Sequence, residues 1–150
     1  MKYQYTECGL NNIVIEGLAV FKDDAGDEVV EIPYVNDLHC AIASGIVLHE
    51  QGMSGAELRF LRSEIGITQA ELAALLHKDK QTVGRWERAE SEIDGASETI
   101  IRKLAIEKLG LDIADGIDVL SKKSVSTAQD QTISIIANDN SYTLAKSIAA

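Results

Sequence analysis

Two short helical patterns separated by three polar residues constrain this chain more than any other part of its sequence. The first begins at Thr68, whose hydroxyl can cap a helix together with Glu71 three residues later. The second covers about 80–89, after the polar gap 77–79. Helices this short are unstable alone in water, so the two must pack against each other.

The apolar residues of the two patterns predict how the helices meet. Leu72 and Leu76 of the first should form a core with Val83 and Trp86 of the second, and the small Ala73 allows a close crossing. The outward positions of the second helix are all polar: Lys80, Gln81, Thr82 and Arg85. Such positions face the major groove when a helix enters duplex DNA with its N-terminus first.

The segments GITQAELAALL at 66–76 and QTVGRWERAE at 81–90 resemble the Xre (lambda-repressor-like) helix-turn-helix family. The resemblance implies that Gln69 contacts a phosphate and that Arg62 and Glu87 form a structural ion pair. It also implies that Lys80, Gln81, Thr82 and Arg85 face base edges or flanking phosphates. Arg88 and Arg59 are expected to contact phosphates, and Lys78, which stands where the family has an apolar residue, could gain a phosphate contact. The turn departs from the family, which has glycine and then an apolar residue where this chain has His77 and Lys78. Either His77 adopts a left-handed conformation, strained without glycine, or the turn differs and changes how the second helix docks.

Further elements are expected on both sides of this motif. Ser54 with Glu57 predicts a preceding helix, a helix should run from about Ser97 to Leu109, and 112–120 could form another. The runs 11–21 and 28–33 are typical of two strands of an antiparallel hairpin, and 3–5 could add a third strand. Asp37 is expected to cap a helix that ends near Glu50.

The expected fold is therefore α+β and mainly α. A β-hairpin and helix over 1–53 would serve dimerisation or partner binding, and a helix-turn-helix domain of four to five helices would occupy 54–120. Residues 121–150 are expected to form a flexible C-terminal tail, because they are rich in polar residues. The end of the tail resembles the peptide that bacterial trans-translation adds to proteins destined for proteolysis, so a degron at Ala149–Ala150 is a hypothesis.

The charge distribution separates the N-terminal third from the motif. The net charge of −10 argues against nucleic-acid binding. However, residues 1–54 carry 2 basic and 9 acidic side chains, whereas residues 78–88 carry 4 basic and 2 acidic side chains. The acidic third could attract a basic protein, or it could only solvate a surface. The chain contains no membrane-length apolar stretch and no secretion signal at its start, so a cytoplasmic location is expected.

Metal and enzyme chemistry are not expected. Cys8 and Cys40 are too few for a disulfide framework or a four-cysteine zinc site, and no cofactor or metal site is indicated. His39, His49 and His77 lack any triad or paired-acid arrangement, so the chain is not expected to be an enzyme.

Three segments carry a second resemblance: YQYTECGLNNIVIEGL at 3–18, EIPYVNDLHCAIASGIV at 31–47 and SGAELRFLRSEIGITQAEL at 54–72. Over about 3–109 the chain resembles bacterial MqsA-type antitoxins, although only Cys8-Gly9 remains of their two zinc-binding CxxC pairs. That resemblance implies autorepression by a homodimer on a palindromic operator in double-stranded DNA. The main hypothesis is a sequence-specific repressor. The alternative is an antitoxin whose N-terminal region neutralises a toxin protein. A module that only binds proteins, or a ligand sensor, agrees less well with the polar second helix and the small N-terminal region.

Overall fold

The computed structural model describes residues 2–125 and 131–145. Its elements are β1 (Lys2–Gln4), β2 (Ile13–Glu16), β3 (Ala19–Lys22), β4 (Glu28–Glu31), α1 (Val35–Leu48), α2 (Gly55–Ile65), α3 (Gln69–Leu76), α4 (Lys80–Glu87), α5 (Gly95–Leu109), α6 (Ile117–Lys123), β5 (Ile133–Ala137) and β6 (Tyr142–Leu144). The expected α+β class, mainly helical, with a small hairpin and a helix-turn-helix unit, is confirmed. No helix in these two ranges combines the length and the apolar character needed to cross a bilayer. The suggested degron at Ala149–Ala150 lies outside the described residues.

A four-stranded sheet joins the two ends of the chain. Its order is β1-β2-β5-β6, with β2 antiparallel to β1 and parallel to β5. Ile13 lies opposite Ile133, and Ile15 opposite Ile135, and all four side chains are buried. Residues 133–144 therefore differ from the flexible tail expected for 121–150. Their apolar alternation completes the buried face of β2, and this burial outweighs the polar composition of the surrounding sequence.

The β3–β4 hairpin lies outside this sheet. The run 11–21, expected as one strand, divides at Gly17 into β2 and β3, which belong to different sheets. In the hairpin, Phe21 lies opposite Val29. Every residue of β3 is exposed, so the apolar side chains of the hairpin lie largely in solvent.

The first helix begins differently from the expectation. It starts at Val35, after Tyr34 in a left-handed conformation with φ of 54°, and no side chain caps it. Asp37, the expected N-cap, lies instead in the first turn, where a carboxylate favours the positive end of the helix dipole.

The C-terminal end of α1 is capped from other parts of the chain. Its last turn contains no basic residue. Lys123 of α6 donates to the Leu48 carbonyl at 3.1 Å. Arg102 of α5 donates to three neighbouring carbonyls, those of Ile46, Val47 and His49. These two cations supply the donors that the end of a helix lacks, and they hold α1 against α5 and α6.

The apolar core is continuous from Tyr5 near the N-terminus to Ile135 in β5. It runs through residues 53 and 58, on either side of the expected boundary at 53/54. Leu72 and Leu76 of α3 pack into it, whereas Leu75 is 53% exposed. Leu75 lies outside the buried side of α3, which is formed by Leu72, Ala73 and Leu76.

Candidate nucleic-acid interface

An ion pair between Arg62 and Glu87 fixes the end of α4 against α2. Arg62 Nε donates to Glu87 Oε2 at 2.6 Å, and Nη2 donates to Oε1 at 3.0 Å. Gln69 Nε2, at the start of α3, also donates to Glu87 Oε1, at 3.1 Å. A two-pronged contact of this kind fixes both distance and angle. The Glu87 carboxylate therefore holds α2, α3 and α4 in one arrangement.

Residues at its two ends fix where α3 begins and ends. Thr68 accepts from the Glu71 N–H, and the Glu71 carboxylate accepts from the Thr68 N–H, which completes a capping box. At the other end His77 is left-handed, with φ of 57°, and the Lys78 N–H donates to the Ala73 carbonyl at 2.9 Å. The turn thus has the left-handed geometry that glycine usually supplies, here built on a histidine.

The fourth helix divides into a buried and an exposed side. Val83, Gly84 and Trp86 are buried, so the helix packs on the core along this line. Lys80, Gln81 and Arg85 are exposed, and Thr82 is partly exposed. The Arg85 guanidinium donates to the Thr82 hydroxyl at 3.2 Å, so the two side chains lie together on the outer surface.

A cleft of about 500 Å³ lies between the start of α3 and the outer side of α4. It is lined by Gln69, Lys80, Gln81, Gly84, Arg85, Arg88 and Glu90. Three of these residues carry positive charge and one carries negative charge. The cleft can therefore accept an anionic group such as a backbone phosphate, with amide donors beside the cations.

Two of the basic residues expected to contact DNA lie away from this cleft. Lys78 is exposed in the turn before α4, with its Nζ 3.8 Å from an Asp94 carboxylate oxygen. Arg59 is exposed on α2. Neither lines the cleft, so contacts from them would reach phosphates beyond it.

Sequence reasoning missed two residues of the cleft, Gly84 and Glu90. Gly84 is buried, and its missing side chain leaves the α4 backbone open beside Gln69 and Arg88. Glu90 follows α4 and forms two hydrogen bonds with Arg88, each 3.1 Å long. A glycine inside a short helix is a signal of close approach that could have identified Gly84. No local pattern marks Glu90, because it lies outside the helix.

The family comparison agrees with this geometry. Residues 58–115 match the family model described as Helix-turn-helix. This segment is an Xre-like helix-turn-helix domain. It contains most of α2, all of α3, α4 and α5, and the segment before α6. A comparison with curated proteins and another with solved structures found no match.

The helix-turn-helix domain makes the chain a DNA-binding transcription regulator in the general sense. In this type of domain the second helix of the motif lies in the major groove. Here that helix is α4, whose exposed residues adjoin the cleft. In residues 2–125 and 131–145, no group of three histidine, cysteine or acidic side chains is arranged to hold a metal ion.

Two histidines, His39 and His49, contact carboxylates of α2. His49 Nε2 lies 3.1 Å from Glu57 Oε2, and both side chains are buried. Burial alone would raise the pKa of Glu57, but its contacts with His49, the Ser54 N–H and Asn12 together lower it below the ordinary value. His39 bridges the Tyr5 hydroxyl and the Glu64 carboxylate. Both histidines thus connect the α1 region to α2, and His39 also contacts Tyr5, which follows β1.

Proposed function

We propose that the protein is a sequence-specific transcriptional repressor that inserts α4 into the major groove. The observation that carries this proposal is the division of α4, which buries Val83 and Trp86 and exposes Lys80, Gln81 and Arg85. Arginine and glutamine side chains are suited to reading guanine and adenine edges. Gln69 and Arg88, which line the cleft, would contact the phosphates that fix the register.

The proposal includes a homodimer that binds a palindromic operator upstream of its own gene, in the cytoplasm of a bacterium. Two copies of α4 would then enter major grooves about one helical turn, roughly 34 Å, apart. Mass measurement of the complex with upstream DNA tests this part. Two protomers on each duplex are expected, and a single protomer at saturation would contradict the dimer.

Fluorescence anisotropy on upstream DNA, at one stated salt concentration, tests sequence-specific binding. We expect Arg85→Ala to weaken specific binding by about 1–3 kcal/mol, and to weaken binding to a random duplex of equal length by less, whereas an equal loss on both duplexes would reduce Arg85 to a phosphate contact. Lys108→Met is the matched control, because Lys108 is an exposed cation near the end of α5. If the wild type binds both duplexes equally, sequence-specific regulation is wrong.

A second candidate function is neutralisation of a toxin protein by the N-terminal region. It is favoured by the β3–β4 hairpin, where Val20, Phe21 and Val29 are 40, 51 and 45% exposed. Residues 22–31 around them contain five acidic side chains and one lysine. Apolar side chains within an acidic surface suit a basic protein partner.

Co-purification with the product of an adjacent gene tests this second candidate. We expect Phe21→Asp to abolish the complex and to leave DNA binding intact, since Phe21 is exposed and lies outside α2–α5. A complex that survives Phe21→Asp would exclude the hairpin as its contact surface.

A further inference from the structure

Arg88, at the end of the DNA-reading helix, is held by a carboxylate of its own chain. Arg88 Nε lies 3.1 Å from Glu90 Oε1, and Nη2 lies 3.1 Å from Oε2. Both side chains are more than half exposed. The guanidinium thus presents to Glu90 the same pair of N–H groups with which arginine binds a phosphate.

The backbone after α4 places Glu90 in this position. Ala89 adopts a left-handed conformation with φ of 58°, which is uncommon for a residue other than glycine. The Ala89 N–H donates to the Trp86 carbonyl, and the Glu90 N–H donates to the Arg85 carbonyl at 2.9 Å. These bonds turn the chain back towards α4, so Glu90 faces the cleft instead of continuing away from it.

Gly84 makes room for the guanidinium. A Cβ atom built on Gly84 would lie 3.0 Å from Arg88 Nη1 and 3.6 Å from Gln69 Oε1. A side chain here would push Arg88 outward. The held position of Arg88 therefore lies directly against the α4 backbone, within the cleft where Lys80 and Arg85 also converge.

From this geometry we propose that Glu90 is an intramolecular competitor for the DNA phosphate: it holds Arg88 over Gly84 in the free protein and releases it to a phosphate of the bound duplex. The inference rests on DNA binding through α4 and adds a regulatory residue to that site. The Arg88 contact lowers the pKa of the Glu90 carboxyl, so Glu90 stays ionised and competes at neutral pH.

Phosphate contacts are shared by all sequences, so Glu90 should weaken binding to every duplex equally. A competitor that must be displaced reduces non-specific binding without altering which bases are read. The expected effect is modest, because an exposed ion pair is worth little in water. We expect Glu90→Gln to lower Kd by about 3- to 5-fold on specific and on random duplexes alike.

The experiment measures Kd for the wild type and for Glu90→Gln on upstream DNA and on a random duplex, at about 100 mM salt. Glu92→Gln is the matched control, because Glu92 is exposed and forms no ion pair within the described residues. It removes the same charge nearby, and screening should keep its effect below about 2-fold. If Glu90→Gln and Glu92→Gln lowered Kd equally, the proposed competition would be wrong, and the loss of one negative charge would explain the effect.

A double-mutant cycle shows whether Glu90 acts through Arg88. In an Arg88→Ala background, we expect Glu90→Gln to change Kd by less than about 2-fold. A gain as large as in the wild type would overturn the proposal. Preference of the wild type for upstream DNA tests the proposed function separately, because competition for a phosphate is measured equally well on the random duplex. Absence of any DNA binding would refute both proposals.

Discussion

Substituting methionine for Arg102 keeps a long unbranched stem but removes a guanidinium that is fully buried. In the wild type, Nη1 lies 3.1, 2.6 and 3.2 Å from the carbonyl oxygens of Ile46, Val47 and His49, and Nη2 lies 3.0 and 3.3 Å from those of Gln51 and Lys123. Glu98 Oε2 lies 3.3 Å from Nε and 3.2 Å from Nη2. The variant deprives these carbonyls, and a buried carboxylate, of this donor.

The loss of stability in Arg102→Met is set mainly by the buried Glu98 carboxylate, which no longer has its partner. Removing one partner of a buried ion pair costs about 3–5 kcal/mol. A domain of this size loses about 2–4 °C of Tm per kcal/mol, so we expect a decrease of about 6–20 °C. Urea and thermal unfolding followed by circular dichroism measure both quantities. Lys108→Met, on the exposed side of the same helix, should stay within about 0.5 kcal/mol of the wild type. A loss below about 1 kcal/mol for Arg102→Met would refute the reasoning.

The Glu98 carboxyl adds a pH dependence to this prediction. Burial raises the pKa of Glu98, although the Met53 N–H and Arg102 act in the opposite direction. A pKa raised in the folded state gives stability that is full below the ordinary pKa and is lost as the pH rises through the raised value. Without Arg102 the pKa should rise further, so Arg102→Met should lose more stability at about pH 7.5 than at about pH 5.

The double variant Arg102→Met/Glu98→Gln separates the lost donors from the unpaired charge. Glutamine keeps an oxygen for the Met53 N–H, which the wild-type carboxylate accepts at 2.7 Å. We expect the double variant to be more stable at neutral pH than Arg102→Met alone, because no charge is left buried. Equal or lower stability would show that the carboxylate does not need Arg102.

Three further predictions test other contacts. Gly55→Ala should lower the free energy of unfolding by about 1–3 kcal/mol, because its Cβ would lie 2.2 Å from the Trp86 carbonyl oxygen; an unchanged Tm would contradict this. Ile135→Ala should lower the free energy of unfolding by about 2–5 kcal/mol, and Ile136→Ala, at its exposed neighbour, by less than about 1 kcal/mol. Equal small losses would show that β5 contributes little to stability. Glu57→Gln should lose most stability near neutral pH and approach the wild type as the pH falls, because the lowered pKa of Glu57 gives stability that acid removes. Urea unfolding at several pH values measures this convergence, and a constant difference would refute it.

The parts of the fold that could be predicted are those whose signals are local. Ser54 with Glu57, and Thr68 with Glu71, form capping boxes within four residues, and the structure contains both. The packing of α3 against α4 follows from apolar spacing, because Leu72 of α3 and Val83 of α4 are both buried as that spacing predicts.

The parts that could not be predicted depend on residues far apart in the chain. β5 pairs with β2, and the apolar run at 133–136 does not reveal a strand partner more than a hundred residues earlier. Arg102 could not be identified as a helix cap, because its acceptors are mostly backbone carbonyls, which leave no pattern in the side chains. In the site, α4 was evident from its polar positions, whereas Glu90 depends on a left-handed Ala89 that no sequence rule requires.

The parallel pairing of β2 with β5 also sets an order of events during synthesis. The contacts of α2–α5 are close in sequence, and such contacts form early and quickly. The sheet is different, because Ile13 and Ile15 cannot meet their partner strand until residues 133–137 have emerged from the ribosome. Helices α2–α5 can therefore fold on the nascent chain before the N-terminal strands find their partner, and the four-stranded sheet forms only after β5 has been translated.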